Sequence, residues 1–143
     1  MISPAVVASL VPLFRHESRS FLHYLAEASL WASATDQPLI RRIQRLSNAD
    51  QTLLNELEDT LERQGTSLQP VGAFPIGYSS THFVAVRSVI PRLRNELAAS
   101  VQAWAALRES LGSGEIATWL QGWLDRFQAN RQSTLEQFQR GAV

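Results

Sequence analysis

In the stretch RLSNADQTLLNEL, residues 45–57, an aspartate stands where a hydrophobe is due. Leu39, Ile43, Leu46, Leu53 and Leu57 form an apolar stripe at helical spacing, and counting along it in fours and threes lands on Asp50. Three more polar side chains interrupt stripes in the same way. Glu17 fills the in-phase gap between Phe14 and Phe21, Glu96 falls in phase with Val89, Leu93 and Ser100, and Asn130 lies between Phe127 and Thr134. A carboxylate costs several kcal/mol to bury alone. The chemistry of such positions is therefore that of acids answered by a cation, a proton or hydrogen bonds.

Four helices must position them. Ser3-Pro4 is an N-cap followed by proline, and Val7, Leu10, Phe14, Phe21, Tyr24, Ala28 and Trp31 continue as one seam. Asp36 with Pro38 opens a second helix, which Gly65 stops. Residues 65–80, GTSLQPVGAFPIGYSS, have no helical period. Ser80 or Thr81 then caps a third helix carrying Phe83, Val86, Ile90, Leu93, Leu97, Trp104 and Leu107, with Pro91 expected to kink it near Arg87. GSGE at 112–115 turns into a fourth helix with Ile116, Leu120, Trp123, Phe127 and Phe138.

Helices of roughly 25–30 residues are each about 40 Å long. The extended connection can reach about 50 Å, enough to cross the whole bundle and set the second and third helices parallel. The expected fold is all-α: a four-helix up-down bundle, ferritin-like, with a long crossover between helices 2 and 3, a single domain over residues 1–143. Glu17, Asp50, Glu96 and Asn130 lie near the helix midpoints, so all four should meet in one central layer.

The order of elements, with FRHE in helix 1, an acidic site ahead of LERQG, the crossover PVGAFPIGYSSTHF and the helix-interrupting VIPRL, resembles bacterial ferritin-like proteins of the rubrerythrin type. The resemblance implies a di-metal carboxylate site built from a Glu on each of two helices and a Glu-x-x-His on each of the other two. Carried over by position, Glu17 and Glu96 match the single glutamates, while the paired motifs fall on Asp50-x-x-Leu53 and Asn130-x-x-Ser133. Both histidines are replaced and one carboxylate has become an amide. The three histidines present, His16, His23 and His82, lie off the main seam or at a helix start, and Ser18, Ser20 and His23 form no recognisable nucleophile arrangement.

Two readings of the layer stay open. In one, Glu17, Asp50, Glu96 and Asn130 are the ligands of a reduced metal site; oxygen donors suit Mn, Mg or Ca, and the resemblance allows Fe or Mn. In the other the site is degenerate, its acids held by protonation, hydrogen bonds, buried water or an arginine such as Arg94 or Arg131. A relic acid of that kind would make Glu17→Leu neutral or stabilising.

Composition excludes other chemistry. The chain has no cysteine, so thiolate catalysis, disulfides and Cys-ligated metals are absent, and every one of its 13 basic side chains is Arg, which removes Schiff-base lysine chemistry. A net charge of zero gives no footprint for nucleic acid. No segment approaches 18 uninterrupted apolar residues, so the expectation is a soluble cytoplasmic protein with no membrane partner. Ile116, Trp119, Leu120, Trp123 and Leu124 make a face broader than one stripe, which points to a homodimer. The function expected is a non-catalytic ferritin-like protein, structural or interacting, without a complete di-iron centre or other cofactor; the alternative is a metal-binding protein or oxidoreductase using the four residues above.

Overall fold

The computed structural model describes residues 2–68, 72–81 and 84–139. Every regular element among the described residues is helical: α1 (Pro4–Ser18), α2 (Phe21–Glu27), α3 (Gln37–Arg63), α4 (Val86–Arg108) and α5 (Glu115–Gln139), with a 3₁₀ turn at Ile76–Thr81. The Ser3 hydroxyl accepts from the Val6 N–H at 3.3 Å and Pro4 follows it, as expected of an N-cap. Gly65, at φ 82°, ends α3: its N–H reaches the Glu62 carbonyl and that of Thr66 reaches Leu61, the Schellman pattern.

Three boundaries differ from expectation. The first helix is divided, because Ser20 adopts an extended backbone (φ −72°, ψ 165°) and restarts the chain as α2. Arg19 marks this break, its Nε donating to the Gly72 carbonyl of the crossover at 2.7 Å. The second helical piece ends at Glu27, so Trp31 is outside it, 61% exposed, with its backbone paired to the chain around Ala85. The third long helix starts at Val86 rather than after Thr81. The hydroxyls of Ser79, Ser80 and Thr81 turn back to carbonyls three residues earlier, closing the 3₁₀ turn instead of capping a helix. His82 and Phe83 lie outside the described residues. Pro12 and Pro91 sit on exposed faces of α1 and α4, where water can take the carbonyls they leave unbonded.

The core falls into two halves. Val6, Leu10, Leu54, Leu61, Trp104, Leu107, Trp123 and Phe127 pack at one end, and Phe21, Leu25, Leu39, Ile43, Val86, Leu93, Leu135 and Phe138 at the other. α3, α4 and α5 each contribute to both, α1 packs in the first and α2 in the second, and the order along the chain fixes each direction. α3 and α4 run parallel to each other and antiparallel to α1 and α5, so the crossover traverses the bundle: Leu68 belongs to the first half, Phe74 and Tyr78 to the second. α1 and α2 lie beside α3 and α4, and α5 beside α3 and α4. No helix of the described residues is long and apolar enough to cross a membrane. Leu120, Trp123 and Leu124 are all buried, and Ile116 and Trp119 are partly buried against the same apolar half.

Candidate functional site

Between the two apolar halves lies one polar residue from each long helix. Glu17 falls between Phe14 and Phe21, Asp50 between Leu46 and Leu54, Ser100 between Leu97 and Trp104, and Arg131 between Phe127 and Leu135. Glu17, Asp50 and Arg131 are each only 1% exposed.

Arg131 organises this layer. Its Nη2 donates both to Glu17 Oε2 and, at 2.9 Å, to Asp50 Oδ2, and its guanidinium lies 5.3 Å from the centre of the Phe127 ring. Glu17 Oε1 also accepts from the Ser100 hydroxyl and from the Trp104 indole at 3.0 Å. His23 reaches Asp50 Oδ2 through Nε2 at 2.7 Å and Ser47 Oγ through Nδ1 at 2.6 Å. In the neutral ring Nε2–H donates to the carboxylate and Nδ1 accepts from the Ser47 hydroxyl. One chain of hydrogen bonds thus crosses the bundle from Ser100 to Ser47.

Of the four residues expected here, Glu17 and Asp50 meet on the same guanidinium. Glu96 is half-buried and joins His16, Ser100 and Arg131 along a small recess; its charge, after burial itself, helps push the Tyr78 phenol upward. Asn130 is half-buried beside Arg131, with its amide nitrogen making no hydrogen bond among the described residues. Neither is a partner in the Arg131 network. Leu53 packs against the first apolar half and Ser133 is exposed, so the two positions where the resemblance calls for histidine hold none.

A di-metal centre does not fit these residues. Its two buried carboxylates already share an internal cation, and no group of three or more His, Asp or Glu among the described residues is arranged to hold a metal ion. Of the two histidines among the described residues, His23 enters the layer, 5% exposed, while His16 is exposed. Unbroken helical phase puts His23 off the seam; the break at Ser20 re-aims it inward. The sequence SRS was the available signal, since serine favours helix ends over helix interiors.

Ser47, His23 and Asp50 are linked in the order of a nucleophile relay, yet Ser47 lies inside α3, where backbone N–H groups are taken by i→i−4 bonds and none is offered to an oxyanion. What the arrangement can do is neutralise and orient buried charge. Beside it, Ser47 and His23 form part of the wall of an open cleft of about 350 Å³ between α2, α3 and Phe74. Comparison of the chain with models of known families, with curated proteins and with solved structures finds no match.

Proposed function

We propose that this chain is a non-catalytic, metal-independent protein of ferritin-like arrangement, with a structural or interaction role. The observation that carries the reading is the guanidinium of Arg131, bonded to Glu17 and Asp50 where the resemblance calls for metal. A buried pair of carboxylates needs about one unit or more of positive charge close by, and a side chain supplies it at every metal concentration. The parallel course of α3 and α4 across a long crossover is the connection that a ferritin-like bundle requires.

Metal analysis of protein purified without chelator, with thermal melts in Fe(II) and Mn(II), tests this. The expected result is substoichiometric metal and an unchanged melting temperature. A stoichiometric metal, or a melt raised by several degrees, returns the assignment to a metal-binding protein or oxidoreductase using the carboxylates.

A further inference from the structure

We infer that the cleft beside His23 is a binding site for a small monocarboxylate with a hydroxylated body. The proposal is independent of the metal question: Ser18 and Arg19 stand outside the Arg131 network, and His23 and Ser47 are the end of it that reaches the cleft wall. Three observations carry it.

The first is Ser18, the last residue of α1. It is 4% exposed and lines the cleft, and its hydroxyl has no hydrogen-bond partner among the described residues. Leaving a buried hydroxyl unbonded is costly, and a bound ligand oxygen would satisfy it.

The second is Arg19, next along the chain and in the same wall. Its Nε is fixed on the Gly72 carbonyl at 2.7 Å, its Nη1 on the Ser18 carbonyl at 3.0 Å, and its plane lies 5.2 Å from the Phe74 ring centre. Three anchors hold this guanidinium at the cleft, and no acid pairs with it among the described residues. Its remaining N–H groups match a carboxylate, whose two oxygens fit the planar fork.

The third is a polar stripe on α3. Gln44, Ser47, Asn48 and Gln51 follow one another at i, i+3, i+4 and i+7 and all line the cleft. Amides and hydroxyls offer both donors and acceptors, which suits a body carrying hydroxyl groups.

Charge selects the anion. Arg19 is the cation of the lining and Glu27 stands exposed in the same wall, so the lining sums to zero. Behind it, two carboxylates face one arginine in the central layer. Arg19 thus offers a direct partner to one negative charge, while Glu27 and the excess carboxylate behind disfavour a second. The volume is that of a small-ligand site.

Isothermal titration of the full chain with D-gluconate, D-glucose, acetate and inorganic phosphate tests the assignment. Gluconate is expected to bind, with glucose weakened by the missing carboxylate, acetate by the missing hydroxyls and phosphate by its second charge. Arg19→Gln should weaken gluconate at least about tenfold, and Ser18→Ala severalfold. Unchanged circular dichroism and melting temperature without ligand confirm that each variant is folded. No gluconate binding at millimolar concentration, full affinity in folded Arg19→Gln, or phosphate binding as tightly as gluconate would each overturn it.

Discussion

Arg131 changes what the buried acids mean for stability. Three formal charges share one layer, each only 1% exposed, so removing any one leaves the others uncompensated. Arg131→Met should cost about 3–5 kcal/mol in urea unfolding, the range for breaking a buried ion pair. Glu17→Leu should also destabilise, because it strips the guanidinium, Ser100 and Trp104 of an acceptor at once. That reverses the sign expected of a relic acid. Replacing Glu17, Asp50 and Arg131 together by apolar residues should recover most of the loss, and a triple variant as unstable as Arg131→Met alone would contradict the account. Glu17 and Asp50 were legible in the sequence because an acid in an apolar stripe demands a partner. Arg131 was named there only beside Arg94, as one of two arginines that could answer the acids. Steps of three and four from Phe127 are equally helical, one reaching Asn130 and the other Arg131, and only the packed bundle decides between them.

At the level of elements, local chemistry read correctly where it is self-contained and failed where another element competes. Gly65 needs a left-handed backbone whatever surrounds it, and no atom lies within 4 Å of where a Cβ would stand. Gly65→Ala should therefore cost about 1 kcal/mol through backbone conformation alone, measured as a shift in the urea midpoint at constant slope. Asp36 shows the opposite case. It precedes α3 as expected, but its carboxylate makes no capping bond; it accepts instead from Arg87 Nη2 at 2.5 Å and Nε at 3.2 Å, tying the start of α3 to the start of α4. The hydrogen bonds from Arg87 hold its carboxyl below the ordinary range, against a smaller opposing effect of desolvation. A depressed folded pKa gives stability that is present above the unfolded value and lost as pH falls through the folded one. Asp36→Asn should thus melt below the parent at neutral pH, and the gap should close in acid, below the carboxylate range. A gap that persists unchanged at low pH would show that the ion pair is not its source.

Across the whole molecule, the polar layer divides the apolar core without dividing the protein. Had each half been built from its own helices, the layer would be a boundary between two units. Instead α3, α4 and α5 each place side chains in both halves, and their backbone hydrogen bonds run unbroken past Asp50, Ser100 and Arg131. Only the α1–α2 side is interrupted, at Ser20, close to the layer itself. Opening one half therefore strips burial from three helices that also hold the other, and the two should unfold together. The aromatic residues allow this to be measured. Trp123 stacks on Phe127 and Trp104 packs tilted against both in the first half, while the second half carries tyrosines, Tyr24 and Tyr78. Tryptophan fluorescence weights the first half, and far-ultraviolet circular dichroism follows every helix. In urea the two signals should trace one transition. Ellipticity lost ahead of fluorescence would mean that the α2 end opens by itself, and that the charge layer is a seam between two folding units rather than the clamp that joins them.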